Sequence, residues 1–135
     1  TFVYFLSAKG GSMQVWRVPA GGGDATQVTA YPLDVGSFRL APDGKAIAVS
    51  FEVFADCATL ACTAERHAAN ANDKRTGVQY DRIFVRHWDT WKDGTRSQVF
   101  LGALGDDGKA TGEPRLLTTG IDGDVPGKPF GDQSD

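Results

Sequence analysis

The sequence contains little of what several large classes of protein require. It has no apolar segment near the roughly 18 residues of a membrane-spanning helix. It also has no excess of positive charge, since 14 Lys and Arg stand against 17 Asp and Glu in 135 residues. We therefore expect neither a membrane partner nor a nucleic acid, because nucleic acids are bound largely through cationic contacts to phosphates. With 41% hydrophobic and 23% charged residues, the composition is that of a folded domain.

Glycine is plentiful, with 17 residues, and the glycines separate short strand-like segments. Apolar, β-branched and alternating stretches predict strands at 2–6, 14–18, 25–29, 35–40, 46–54, 97–104 and 114–119. One pattern occurs twice: a strand, a Gly-rich turn and a second strand that ends in Thr. Its first copy has strands at 14–18 and 25–29, and its second copy has strands at 97–104 and 114–119. Such internal repetition of a small antiparallel unit is typical of the blades of a β-propeller.

The repeat predicts an all-β fold with about two blades of a β-propeller and a short helix in an insertion. Residues 1–30 are expected to form a partial blade, 31–120 a second blade with the insertion at about 55–95, and 121–135 a linker toward a next blade. Within the insertion, 59–74 is rich in helix formers, with Asp56 or Thr59 as N-cap and Gly77 at the end, and 80–85 reads as a strand. We expect the chain to be a piece of a longer protein, and its open blade faces would support self-association.

The two cysteines, Cys57 and Cys62, are separated by four residues at the start of the predicted helix. This spacing favours a disulfide, since a turn entering a helix can bring the two Cα atoms within bonding range. Two free thiols, or a zinc site completed by His67 and His87, are the alternatives, but the spacing matches no standard zinc pattern. We therefore expect no metal and no other cofactor. A disulfide would place the protein in an oxidising compartment, either periplasmic or secreted.

Two segments carry a resemblance to a known family. Ala-Pro-Asp-Gly-Lys at 41–45, followed by Ile-Ala-Val at 47–49, is similar to a blade signature of periplasmic translocation-type propellers and of the prolyl oligopeptidase family. Residues 80–91, with 97–100 and 124–126, resemble the N-terminal propeller of bacterial dipeptidyl and acylaminoacyl peptidases, which are serine peptidases of that family. The resemblance covers nearly the whole chain, but it includes only about two blades and no hydrolase domain. It implies a non-catalytic propeller portion that gates access and helps to bind the peptide N-terminus, with the missing blades and the hydrolase domain as further partners.

No catalytic residue is expected in this chain. A serine peptidase of this type needs a nucleophile in a Gly-x-Ser-x-Gly turn. The closest stretch is residues 10–14, where Gln14 replaces the second glycine and Ser12 lies in a predicted hairpin turn. The chain alone is therefore predicted to be inactive.

The candidate substrate-binding residues are Asp89, Trp88, Trp91 and Glu52. A carboxylate such as Asp89 can pair with the free α-amino group that an exopeptidase must recognise. Flanking tryptophans would exclude water and add cation–π attraction. The structural alternative for Asp89 is that it caps the turn at 92–94 while the tryptophans pack the insertion. The alternatives for Glu52 are a rim residue or an ion pair to an arginine.

Two other functions are consistent with the same residues. A non-enzymatic periplasmic propeller that binds proteins would need no carboxylate beside the aromatic residues of 87–91 and no hydrolase domain. A glycan-processing or glycan-binding propeller would need paired carboxylates facing a common cleft. A Gly-x-Ser-x-Gly motif in sequence that follows this chain would favour the peptidase.

Overall fold

The computed structural model describes residues 1–81, 86–87 and 90–126, and it is built mostly from antiparallel strands. The mainly β class predicted from the sequence is confirmed. Within the described residues, no helix is long and apolar enough to span a membrane. In chain order the elements are β1 (Phe2–Ser7), β2 (Gln14–Pro19), β3 (Thr26–Gln27), β4 (Phe38–Leu40), β5 (Ala46–Phe54), α1 (Leu60–Ala71), β6 (Arg86–His87), β7 (Thr90–Trp91), β8 (Thr95–Leu104) and β9 (Ala110–Leu116).

The strands form two main sheets and one small hairpin. The first sheet has the order β1-β2-β3, and the second has the order β4-β5-β8-β9. All pairs are antiparallel, and β5 pairs with β8 from Ala46 opposite Ala103 to Phe54 opposite Thr95. The helix and the β6–β7 hairpin lie in the chain between β5 and β8, within the segment that the sequence analysis calls the insertion. The insertion therefore emerges from the central strand pair of the second sheet without interrupting it.

The hydrophobic core lies between the two sheets. The first sheet and the segment after it contribute Val15 and Tyr31, and the ring of Tyr31 meets that of Phe51 edge-on at 5.3 Å. Close approach at this interface requires Gly102, because a Cβ there would clash with the Tyr31 hydroxyl oxygen. The buried members of the core are Val15, Val28, Tyr31, Val35, Ile47, Val49, Phe51, Val53, Leu60, Phe100 and Leu104.

Several element boundaries differ from the sequence-based prediction. The strand predicted at 25–29 is reduced to Thr26–Gln27, because the N–H groups of Val28 and Thr29 both turn to the carbonyl of Val15. The strand predicted at 35–40 begins only at Phe38, since the Val35 N–H donates to the carbonyl of Met13, the residue before β2. The strand predicted at 114–119 instead spans Ala110–Leu116. Of the strand predicted at 80–85, residues 80 and 81 are not in a strand, and 82–85 lie outside the described residues.

A buried glutamine at the start of β2 connects the first sheet to the segment that follows it. The Thr29 hydroxyl donates to Gln14 Oε1 at 2.8 Å and accepts from the Val15 N–H at 2.9 Å. The Gln14 side-chain amide donates to the carbonyls of Tyr31 and Leu33, at 3.1 and 3.0 Å. Every polar atom of this buried side chain thus has a partner, as burial of an amide requires.

The second sheet contains the same arrangement around Gln98 of β8. The Thr118 hydroxyl donates to Gln98 Oε1 and accepts from the Val99 N–H at 3.2 Å. The Gln98 side-chain amide donates to the carbonyl of Gly123 at 2.7 Å. Gln14 and Gln98 are therefore counterparts in their two sheets, as are Thr29 and Thr118.

An Asp-Val pair completes the repeat in both sheets. The carboxylate of Asp34 accepts from the Met13 N–H at 2.8 Å, and that of Asp124 accepts from the Ser97 N–H at 2.9 Å. The valine after each aspartate donates to the carbonyl of that same residue, Met13 or Ser97, at 2.8 and 2.7 Å. The two sheets thus share one unit, a Gln-Val strand, a Thr and an Asp-Val pair.

Candidate functional site

The insertion is held against the second sheet at Phe54, the last residue of β5. The Phe54 N–H donates to the Thr63 hydroxyl at 3.3 Å, and the Cys57 N–H donates to the Phe54 carbonyl at 3.0 Å. The guanidinium carbon of Arg66 lies 4.6 Å from the centre of the Phe54 ring, and the His67 ring lies 5.1 Å away. Helix α1 is therefore fixed to the end of β5 by both hydrogen bonds and ring contacts.

Helix α1 begins where the sequence predicts and ends earlier. Thr59 is its N-cap, with the Thr59 hydroxyl accepting from the Cys62 N–H at 3.2 Å. The helix ends at Ala71, so the predicted end at Gly77 is wrong. Asn72 is the C-cap, and its side chain donates to the carbonyl of Ala68 at 3.0 Å, which satisfies a terminal acceptor of the helix.

A disulfide between Cys57 and Cys62 links the turn after β5 to the first turn of the helix. Their Cα atoms are 5.6 Å apart. Neither sulfur is available as a thiolate ligand, which removes the zinc alternative built on the two cysteines. Among the residues that the structure describes, no three His, Cys, Asp or Glu side chains are grouped to bind a metal ion.

An ion pair on the surface orients the helix side chain that covers Phe54. Arg66 donates two hydrogen bonds to the Asp56 carboxylate, at 2.7 and 2.9 Å. The hydrogen bond from Arg66 holds the pKa of Asp56 below its usual value. Because exposed ion pairs add little stability, we assign this one to orientation of the Arg66 guanidinium over the ring.

The insertion returns to the second sheet through Lys92 and Asp93. The Asp93 carboxylate accepts from both the hydroxyl and the N–H of Thr95, at 2.6 and 2.9 Å. Burial acts to raise the pKa of Asp93, but these hydrogen bonds outweigh burial and lower it. Lys92 forms an ion pair with Asp124 at 2.9 Å, with both side chains 22% exposed. Asp124 thus connects the end of the insertion to the repeat network of the second sheet.

The predicted amine-binding residues are only partly within the described structure. Asp89 and Trp88 lie outside the described residues. Trp91 is in β7, is 59% exposed and pairs with Arg86 of β6. The Arg86 guanidinium carbon lies 5.3 Å from the Trp91 ring centre, and the Tyr80 ring stacks on Trp91 at 6.3 Å. We call Tyr80, Arg86 and Trp91 the aromatic cluster.

Glu52, the second candidate carboxylate, belongs to the sheet. It lies in β5 opposite Ser97 of β8, two residues before the end of β5. The neighbouring Phe51 and Val53 side chains are in the core. Since side chains alternate along a strand, Glu52 is on the opposite face of the second sheet, near the base of the insertion.

Sequence reasoning missed the contacts that support the site. The role of Asp124 could have been found, because an Asp-Val pair follows Thr29 by five residues and Thr118 by six. The contact of Arg66 with Phe54 had no comparable signal, since it depends on how the helix packs. Tyr80 and Arg86 lie within the family-like segment 80–91, but no pattern in the sequence places them against Trp91.

Comparison with known proteins assigns the chain to no family. No protein-family model matches the sequence, and no curated protein matches it. The resemblance to the prolyl oligopeptidase family therefore stays a prediction from the motifs at 41–49 and 80–91.

Proposed function

We propose that the chain contributes two neighbouring β-propeller blades to a serine exopeptidase of the prolyl oligopeptidase type. In this role it gates access to the active site and helps to bind the N-terminus of the peptide. The observation that supports the blades is the hydrogen-bond unit shared by Gln14 and Gln98. Propellers are built from repeated antiparallel sheets that pack face to face. A second sheet with the order β4-β5-β8-β9 agrees with one blade, and a three-stranded first sheet agrees with an incomplete one.

The insertion is proposed as the element that contacts the peptide. It is supported at its start by the disulfide and by Arg66 on Phe54, and at its end by the Lys92–Asp124 ion pair. Recognition of one chemical group requires such support, because a loosely held site loses its geometry. Asp89 is the group proposed to pair with the peptide ammonium. Trp91, two residues later in the sequence, has an exposed ring that would form one wall of the site.

Hydrolysis itself is assigned to another part of the protein. The sequence contains no Gly-x-Ser-x-Gly nucleophile turn. The disulfide supports a periplasmic or secreted location, because such bonds persist in oxidising compartments.

The test uses the longest natural polypeptide that contains this chain. We expect a fluorophosphonate probe to label it covalently, and we expect it to cleave chromogenic peptides with a free N-terminus. Asp89→Ala should lower kcat/KM on free-amine peptides at least about 10-fold, because the ammonium loses its charged partner. The value on N-acetylated peptides should stay unchanged. Asp106→Ala is the matched control, since Asp106 is exposed in the turn at the opposite end of β8.

Two results would count against this proposal in different ways. A polypeptide that neither reacts with the probe nor cleaves any peptide is not a serine peptidase, and the protein-binding propeller would then be favoured. If Asp89→Ala lowers cleavage of free and acetylated peptides equally, or lowers neither, the peptidase assignment stands but Asp89 does not bind the amine.

A further inference from the structure

The two halves of the insertion are anchored to the second sheet by separate contacts. Helix α1, in the first half, is held by the disulfide at its start and by Arg66, whose guanidinium lies over the ring of Phe54. The second half is held by Lys92, which forms an ion pair with Asp124 at 2.9 Å. Residues 73–80 connect the two halves, and none of these anchoring contacts includes them.

Residues 73–80 are the longest part of the described chain that has no helix, strand or turn. Every residue from 68 to 81 is exposed, and Val78 has 74% of its surface exposed. The Asp73 carboxylate accepts from the Arg75 N–H at 2.9 Å and from its Nε–H at 2.7 Å, so this pairing is local. Because an exposed ion pair adds little stability, the segment can change its conformation at little cost.

A second irregular segment, residues 28–37 apart from their turn residues, shows that irregular backbone is not by itself accessible. The Gln14 side chain donates to the carbonyls of Tyr31 and Leu33 in this segment. Val35, in the same segment, has only 2% of its surface exposed. The segment 73–80 therefore differs from 28–37 in its lack of packing, and this exposes its backbone to other proteins.

A pair of basic residues, Lys74 and Arg75, lies in the exposed segment. Lys74 is exposed, and 82% of the Arg75 side-chain surface is exposed. The exposed Lys45 differs, because its carbonyl accepts from the Leu104 N–H at 2.8 Å and its N–H donates to the Asp43 carboxylate at 3.0 Å. A peptidase specific for basic residues takes one cationic side chain into an acidic pocket, and exposed loops are preferred sites of such cleavage. Lys74 and Arg75 combine this side chain with a backbone that can extend.

We propose that residues 73–79 are a processing site for a peptidase that cleaves after basic residues. The bond that breaks is the amide between Arg75 and Thr76. Water adds across this bond, which leaves a carboxylate on Arg75 and an ammonium group on Thr76. The proposal rests on the exposure and the separate anchoring of the insertion, and it does not depend on peptidase activity of this protein.

Cleavage at this bond leaves the second sheet whole. Strand β5 comes before the bond and β8 after it, and the two strands pair along all nine residues of β5. Phe51 of the first fragment meets Phe100 of the second edge-on at 5.4 Å. The disulfide remains within the first fragment, and the contact of Tyr80 with Trp91 remains within the second. The product is therefore a two-chain protein whose fragments stay associated without a covalent link.

Limited digestion of the longest natural polypeptide that contains this chain, with trypsin as the probe, tests the proposal. We expect the first cut within residues 1–135 to create a new N-terminus at Thr76, identified by mass spectrometry. The fragments should elute together in size-exclusion chromatography and separate only in denaturant. Lys74→Gln/Arg75→Gln should be cut there at least about 10-fold more slowly, because the peptidase loses the cationic side chain that it recognises. Lys45→Gln, a matched change in a hydrogen-bonded turn, should be cut like the unmodified protein.

Four outcomes would overturn the proposal. A first cut at Lys45 or Lys109, both in hydrogen-bonded turns, would show that exposure of 73–80 does not govern access, and so would the absence of any cut in that segment. Equal rates for the double variant and the unmodified protein would show that the basic pair is not recognised. Fragments that separate without denaturant would show that the pairing of β5 with β8 does not hold them together. Circular dichroism checks that the variants are folded.

Discussion

At the scale of single residues, two buried glutamines connect each sheet to the segment that leaves it. Gln14 is 2% exposed and Gln98 is 5% exposed, and each bonds to backbone groups of the segment that leaves its sheet. A buried amide contributes to a unique structure only when all its groups are paired. Gln14 therefore helps to fix the path of residues 31–35 between the sheets, together with the bonds of Asp34 and Val35 to Met13.

Replacing Gln14 with Leu should destabilise the fold markedly. Leu fills a similar volume, but the carbonyls of Tyr31 and Leu33 and the hydroxyl of Thr29 would lose their partner in a buried site. We expect the free energy of unfolding to fall by about 2–4 kcal/mol, as measured by urea denaturation. Gln79→Leu, the same change at an exposed position, should change it by less than about 0.5 kcal/mol. Similar losses in both variants would show that the hydrogen bonds are not the cause.

At the scale of elements, the local sequence predicts the bounds of a strand or helix correctly where the pattern is long or where a capping residue marks the end. The strand predicted at 46–54 is observed as Ala46–Phe54, and the helix starts after its Thr59 cap. The predicted strand bounds are wrong where a backbone N–H group forms its hydrogen bond with a residue distant in the sequence. Val35 is strand-like, but its N–H bonds to Met13, the residue before β2, instead of to β5.

Removing the disulfide should loosen the start of helix α1. In Cys57→Ser/Cys62→Ser, the turn after β5 and the first helical turn lose their covalent link. We expect faster hydrogen exchange at the amides of α1 and a loss of global stability of at most about 2 kcal/mol, because the closed loop is short. Addition of reductant should produce the same change in the unmodified chain and none in the double variant. Unchanged exchange in α1 would show that the contacts of Thr63, Arg66 and His67 suffice.

At the scale of the whole molecule, the spacing between the two sheets depends on one close contact. Tyr31 is 8% exposed, and its hydroxyl has no hydrogen-bond partner among the described residues. Burial raises the pKa of Tyr31 above its usual value. The hydroxyl occupies the space that a side chain at position 102 would need.

Gly102→Ala should therefore separate the sheets, and Tyr31→Phe should relieve the clash. We expect Gly102→Ala to cost about 2 kcal/mol of stability in thermal or urea unfolding. Tyr31→Phe alone should be nearly neutral, because the hydroxyl it removes is unpaired. In the double variant the cost should shrink by at least about 1 kcal/mol, which is the coupling that a shared contact produces. Gly21→Ala, where no atom lies within 4 Å of the new Cβ, is the control, and additive effects at 31 and 102 would contradict this geometry.

The sequence by itself determined the mainly β class, the helix that follows β5, the cap of that helix and the pairing of neighbouring strands. These features depend on hydrophobic alternation, turn residues and caps, which act over a few residues. Only the tertiary structure decided that Val35 bonds to Met13 beside β2, that Arg66 covers Phe54 and that Lys92 of the insertion pairs with Asp124. Those contacts join groups that local preference does not relate, and packing and the pairing of buried polar groups select them after the sheets have come together.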